Sequence, residues 1–239
     1  MGQDGTVFRR YEKKFRLSRE QYYLFRQRME GYMAVDQYGL STICNIYYDT
    51  QNYELIRMSV ESPAYKEKLR LRSYGVPREE DMVFLELKKK YRGVVYKRRI
   101  VLSLEEAVKG IENGKIEGQE GQIAKEINYF LARNRVAPKV YLAYDRIAMQ
   151  GIGQPDLRVT FDFDIRARRD RLALTQGDGG ENILHDDDVI MEIKVKDAFP
   201  LWMVRALEEG NILPTSFSKY GIYFKENILE REREKRNVS

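Results

Sequence analysis

Five stretches of this chain alternate apolar and charged residues, and that period of two restricts the fold more than any other feature. In KLRLRSYG, residues 68–75, Lys68, Arg70 and Arg72 fall at every second position, with Leu69 and Leu71 between them. Alternate side chains of a β-strand point to opposite faces. The segment therefore reads as a strand with an apolar face and a cationic face. MVFLELKKKY (82–91) sets Glu86, Lys88 and Lys90 opposite Leu85 and Leu87. LRVTFDFDIR (157–166) sets Arg158, Thr160, Asp162, Asp164 and Arg166 opposite Leu157, Val159, Phe161, Phe163 and Ile165. VIMEIKVKD (189–197) sets Glu192, Lys194 and Lys196 opposite Met191, Ile193 and Val195, and in VYKRRIV (95–101) Lys97 and Arg99 share a face with Val95 and Val101.

The wet face of an antiparallel sheet needs no function, but an ordinary one would favour Thr, Ser, Gln and mixed charges. Here Arg and Lys dominate, with a few carboxylates among them. Like charges on adjacent strands destabilise a sheet, a cost relieved by an anion between them or by a water-filled interior. Closed into a barrel, such a sheet encloses a basic lumen. Arg grips phosphate oxygens through its bidentate fork and Lys as a point charge. The intermixed Glu and Asp are poor ligands for an anion, but they suit a divalent cation bridging phosphate and protein. That combination points to triphosphate chemistry more than to plain DNA binding. A nucleic-acid barrel would interleave stacking aromatics with its cations, and in LRVTFDFDIR the phenylalanines fall opposite Arg158.

The 239 residues, 43% hydrophobic, supply a sizeable core. Lys plus Arg is 42 against 37 Asp plus Glu, and the net +5 suits an anionic partner. A single Cys44 rules out an intramolecular disulfide and fits a reducing compartment. One Cys and one His185 argue against a His/Cys zinc site or a Ser-His-Asp triad. His185 with Asp186, Asp187 and Asp188 imitates a metal cluster, but consecutive loop residues rarely converge on one point. The opening MGQDGTVFRRYEKK lacks the apolar region of a secretory signal. No stretch approaches the roughly 20 apolar residues of a membrane helix. The expectation is a cytoplasmic protein without a membrane span.

The chain reads as antiparallel strands with a few helices, hence α+β, in one domain over 1–239 with a charged tail from about 229. Ser18 with Gln21 and Ser103 with Glu106 form capping boxes that open helices over 18–33 and 103–114. Helices are also expected over 52–62, 120–134 and 200–211, the last with a proline near its first turn. Strands are expected over 42–50, 66–75, 82–91, 94–103, 139–149, 157–169 and 188–197, with a hairpin at Arg92–Gly93 and a loop over 175–187.

In order along the chain come YEKKF (11–15), IYYDT (46–50), KLRLRSYG (68–75), FLELKKK (84–90), YKRR (96–99), YDR (144–146), LRVTFD (157–162), MEIK (191–194) and FSKY (217–220). With these the sequence resembles the VTC domain, the polyphosphate polymerase branch of the triphosphate tunnel metalloenzymes. The resemblance implies an antiparallel barrel forming a tunnel, with basic residues inside and a metal-binding glutamate. Carried over residue by residue, it implies that Lys14, Arg70, Arg72, Lys88, Arg146, Arg158 and Lys219 grip phosphates, joined by Lys97, Arg99 and Lys194. It implies Glu192 as the ligand of Mn²⁺ or Mg²⁺, helped by Glu12, Glu86 or Asp162, and Tyr144 near the nucleotide base or the sheet wall. The implied partners are ATP and polyphosphate, or a pyrophosphate or triphosphate primer; a membrane role would need a separate partner. Hydrolytic tunnel enzymes carry ExExK near the N-terminus, whereas RYEKK keeps Glu12 and Lys14 with Arg10 at the first Glu position. One carboxylate fewer favours gripping over hydrolysis. Ser216 stands where the fungal polymerases have a second lysine. The rivals are a triphosphatase and a non-catalytic polyphosphate-binding module.

Overall fold

A computed structural model describes residues 11–229, apart from 62–63, 93 and 185–186. The strands are β1 (Tyr11–Leu17), β2 (Met33–Asp49), β3 (Tyr65–Tyr74), β4 (Met82–Tyr91), β5 (Val94–Ser103), β6 (Ala137–Gly151), β7 (Gln154–Arg168), β8 (Glu181–Asn182), β9 (Val189–Val195) and β10 (Pro214–Thr215). The helices are α1 (Arg19–Arg28), α2 (Glu54–Val60), α3 (Leu104–Glu112), α4 (Gln122–Arg133), α5 (Leu201–Glu209) and α6 (Lys219–Phe224), the last running into a π-helical turn over Lys225–Leu229. No described helix is long and apolar enough to cross a membrane. Every strand pair whose register is described is antiparallel, so the sequence expectation of an antiparallel sheet with several helices stands. His185, Asp186, Arg10, Gly93 and the charged tail beyond Leu229 lie outside the described residues.

The described residues form two compact units built from interleaved segments: those up to Ser41, Asp145–Asp164 and Leu184–Phe217 in the first, Thr42–Tyr144, Ile165–Ile183 and those from Ser218 in the second. In the first, the strand order runs β10-β1-β9-β7. Its core gathers Phe15, Leu17, Phe25, Met29, Phe161, Met191, Ile193 and Met203. Ser18 caps α1 through both arms of its box with Gln21, and Tyr22 of α1 meets Phe161 and Phe163 edge-on at 5.0 and 5.1 Å. The apolar face of β7 is thereby covered, and its polar face turns the other way.

In the second unit β2, β3, β4 and β5 lie side by side. Leu69 and Leu71, Val83, Leu85 and Leu87, and Ile100 and Leu102 pack with Ala107 and Ile111 of α3 and with Ile127, Phe130 and Leu131 of α4. Ser103 caps α3 through its box with Glu106. With helices over the apolar face, alternation forces Arg70, Arg72, Glu86, Lys88, Lys97 and Arg99 onto the other one. Within β7, Asp164 takes φ 45, a left-handed conformation that aspartate tolerates better than most residues. The alternation expected from Arg158 to Arg166 is therefore interrupted, and Arg166 pairs instead with Asp178 at 2.8 Å.

Candidate active site

The second unit carries a cluster centred on Glu86. Register pairs Arg70 with Glu86 and Glu86 with Arg99, and one step along, Lys68 with Lys88 and Lys88 with Lys97. Four cations converge on the one carboxylate: Arg70 at 2.6 Å, Arg99 at 2.6 Å, Lys97 at 2.9 Å and Arg72 at 3.9 Å. Glu86 is fully buried. Burial alone would raise its carboxyl pKa, but Arg70 and Arg72, followed by Lys97, hold it well below the usual carboxylate range. Burial and the neighbouring Arg99 and Arg70 outweigh Glu86 at Lys97 and bring its ammonium down to about 8. One carboxylate against four cations leaves a surplus of positive charge on a single sheet face.

Hydrogen bonds to neighbouring side chains orient these cations. Arg72 donates to Asn45 at 3.0 Å and to the Tyr144 hydroxyl at 3.3 Å. Arg70 donates to the Tyr47 hydroxyl at 3.3 Å, and that proximity helps lower the Tyr47 pKa against its burial. Lys68 donates to Ser218 at 3.0 Å, the residue that caps α6. Lys219, first in α6, holds its ammonium 4.4 Å over the Tyr144 ring. Tyr144 is buried and is thus part of the cation framework.

The first unit carries a cluster centred on Glu192. Register sets Lys14 beside Glu192 and Glu12 beside Lys194 on β1 and β9, and Thr160 beside Glu192 and Arg158 beside Lys194 on β7 and β9. Lys14 lies 3.7 Å from Glu192 and 3.8 Å from Glu12, and donates to the Phe217 carbonyl at 3.1 Å. Lys194 lies 3.8 Å from Glu12 and pairs closely with Glu192. Burial opposes ionisation of Glu192, yet Lys194 and Lys14, with Arg146 behind them, bring its pKa to about 2. Arg146 grips Asp162 through two hydrogen bonds of 2.6 and 2.8 Å, and Arg158 lies 3.9 Å from Asp36.

Among the described residues, no three His, Cys, Asp or Glu side chains gather as metal ligands. Two of the expected helpers do not fit a metal. The Glu86 oxygens are occupied by three guanidinium groups and an ammonium, and both Asp162 oxygens by Arg146. Each would have to break charged hydrogen bonds in a buried place to bind a cation. Glu192 and Glu12 are less firmly engaged: three of their four ion pairs with Lys14 and Lys194 lie at 3.7–3.8 Å, Glu12 is exposed, and the buried hydroxyl oxygen of neighbouring Thr160 has no hydrogen-bond partner. Mg²⁺ and Mn²⁺ are held by one or two carboxylates, with water and substrate oxygens completing the shell.

A family model described as the VTC domain matches residues 9–225. The chain belongs to the VTC domain family. Among solved structures, this VTC domain is similar to a candidate adenylate cyclase from Bacillus halodurans, with TM-score 0.55 and 16% identity over 87% of this chain and 92% of that one. It is also similar to a candidate adenylyl cyclase from Hippeastrum, described as having a dominant triphosphatase activity, with TM-score 0.53 and 14% identity over 90% and 94%. At such identities the likeness concerns the fold. A search of curated proteins returned no match.

Strand alternation placed Arg70, Arg72, Lys88, Lys97, Arg99, Arg158 and Lys194 on polar strand faces, and the family resemblance added Lys14, Arg146 and Lys219. Neither singled out Asn45, Tyr47, Asp49, Ser218 or Tyr220, which orient or adjoin them. The available signal was that IYYDT and FSKY stand among the segments shared with the family, so their uncharged members also had a claim.

Proposed function

We propose that this VTC domain is a polyphosphate polymerase that moves the γ-phosphoryl group of ATP onto a growing polyphosphate chain or a short primer. The carrying observation is the convergence of Arg70, Arg72, Lys97 and Arg99 on the single carboxylate of Glu86, an arrangement whose surplus charge suits a polyphosphate ester. Membership of the VTC family supports the same reading. The closed barrel with a basic lumen belongs to this proposal, as does a cytoplasmic setting, where ATP is available.

In this reading the guanidinium forks of Arg70, Arg72 and Arg99 bind phosphate oxygens, with Lys97, Lys88 and Lys219 as point charges. Lys14, Arg146, Arg158 and Lys194 carry the same role in the other unit. Glu192 and Glu12 would hold Mn²⁺ or Mg²⁺, which would supply charge neutralisation to phosphate oxygens bound beside them. An oxygen of the acceptor's terminal phosphate forms a bond to the γ-phosphorus, the bond to the β,γ-bridging oxygen breaks, and ADP leaves with the electron pair. The acceptor is already anionic and needs little base catalysis, so the protein contributes positioning and charge cancellation.

The test is to incubate the protein with ATP and Mn²⁺ and resolve the products on a polyphosphate-stained gel, with ADP and free phosphate assayed in parallel. A ladder with matching ADP is expected. Free phosphate without a ladder would replace the polymerase with a triphosphatase. Tight triphosphate binding with neither product would leave a binding module.

A further inference from the structure

The basic face of the second unit has two unlike ends. Beyond Glu86 in one direction the register rungs are Lys68 with Lys88, then Lys66 with Lys90. In the other direction the same face turns apolar. Arg72 pairs with Phe84 and Phe84 with Val101, Met82 follows on β4, and Tyr74 ends β3 with its ring 5.8 Å from Phe84 and edge-on to it. Tyr74 and Met82 are 59% and 60% exposed, whereas Leu71, Val83 and Leu85 on the opposite face of the same strands are buried. We propose that Tyr74, Met82, Phe84 and Val101 form a platform for the base of a nucleoside triphosphate whose phosphates lie along the Glu86 cluster. The proposal rests on the reading of that cluster as a phosphate site.

Three observations fix the occupant as a nucleobase. First, Arg99 joins the platform to the phosphate cluster: its guanidinium binds Glu86 at 2.6 Å and lies 4.6 Å from the centre of the Phe84 ring. Aromatic rings and guanidinium planes are the surfaces on which bases stack. Second, Phe84 and Glu86 are two residues apart on one strand face, about 7 Å, a step that a ribose can bridge between base and phosphates. Third, Tyr144, which the family resemblance implies near the nucleotide base or the sheet wall, is buried with Lys219 over its ring and Arg72 on its hydroxyl. The face therefore has a direction. The base lies at the Tyr74 end, and the phosphate oxygens run toward the rungs Lys68 with Lys88 and Lys66 with Lys90.

The experiment is titration calorimetry with the uncleavable ATP analogue carrying a β,γ-imido bridge and, separately, with inorganic tripolyphosphate, on the wild type, Tyr74→Ala and Tyr74→Phe. A base stacked on an aromatic loses roughly tenfold in affinity on truncation to alanine. The nucleotide Kd is expected to rise about tenfold in Tyr74→Ala, while the tripolyphosphate Kd holds and Tyr74→Phe behaves as wild type. A nucleotide Kd unmoved by Tyr74→Ala, or a parallel loss for both ligands, would overturn the platform and leave the phosphate site standing. A wild type that binds neither ligand would overturn both.

Discussion

The Tyr220 hydroxyl donates to Asp49 at 3.1 Å, joining residues of IYYDT and FSKY that lie 171 positions apart in the chain. Asp49 also accepts the backbone N–H groups of Thr50, Leu55 and Ile56 at 2.8, 3.0 and 3.0 Å, and so anchors the start of α2. The Tyr220 ring stacks on Tyr47 at 4.7 Å, and Tyr47 in turn meets Arg70. One buried carboxylate thereby sets the place of α6, and with it Lys219. Tyr220→Phe removes one hydrogen bond and should cost about 1 kcal/mol. Asp49→Ala strands several buried donors and should cost about 3 kcal/mol or more. Urea denaturation checks both. A larger effect on turnover than on the midpoint in Tyr220→Phe would mark Tyr220 as a positioning residue for Lys219, and equal effects would count against that role.

Glu86 holds together cations that would otherwise repel. Glu86→Gln should lower stability by about 3–5 kcal/mol, the usual cost of uncompensating buried charge. Added tripolyphosphate should raise the melting temperature of this variant more than that of the wild type, because the anion replaces the lost carboxylate. Equal rises in both proteins would show that the anion binds elsewhere. The acid dependence follows the same carboxylate. Its folded pKa lies below the ordinary 4.5, so its stabilisation is complete above that pH and drains away as pH falls toward the folded value.

Lys97 gives a dependence at the other end of the scale. Its ammonium titrates near 8, so the cation available to phosphate is lost as pH rises through that point. Triphosphate affinity should fall by up to about tenfold per pH unit above 8, one proton being taken up on binding. Lys97→Arg should flatten the profile. Folding moves the other way. A lysine lowered from 10.5 to about 8 weakens the fold while charged, so between those values stability rises slightly with pH. Affinity and melting temperature that decline together there would argue against Lys97 as the titrating group.

Much of this was legible in the sequence, for identifiable reasons. β4 and β5 follow from the polar faces set by Glu86, Lys88 and Lys90 and by Lys97 and Arg99, with a hairpin signal in the sequence at Arg92–Gly93, and the starts of α1 and α3 from their capping boxes. The first half of β2, Met33 to Ser41, has no clean alternation and so carries no strand signal. The kink at Asp164 is a backbone conformation that other residues could also adopt there. Which carboxylate serves which cation was not legible either. Glu86 and Glu192 look alike on a strand, and only register shows that Glu86 faces four cations while Glu192 shares two lysines with Glu12.

In the proposed site, that difference makes Glu192 the position expected to separate binding from turnover. Glu192→Gln removes a charged metal ligand of the proposed site and leaves the Glu86 cluster of the second unit intact. Turnover should fall by about 10²-fold or more, the scale of losing one preorganised electrostatic contact, while the tripolyphosphate Kd changes little. Mn²⁺ binding followed by electron paramagnetic resonance should weaken in Glu192→Gln and in Glu12→Gln, and hold in Asp162→Asn, whose oxygens belong to Arg146. Acid behaviour adds an independent check. The Glu192 pKa is lowered from 4.5 to about 2, so its pairing with Lys14 and Lys194 persists at pH 4 and is lost only as pH approaches 2. In Glu192→Gln that part of the acid unfolding curve should vanish. If Mn²⁺ bound equally well to Glu192→Gln and to the wild type, the metal would have to be placed on other residues.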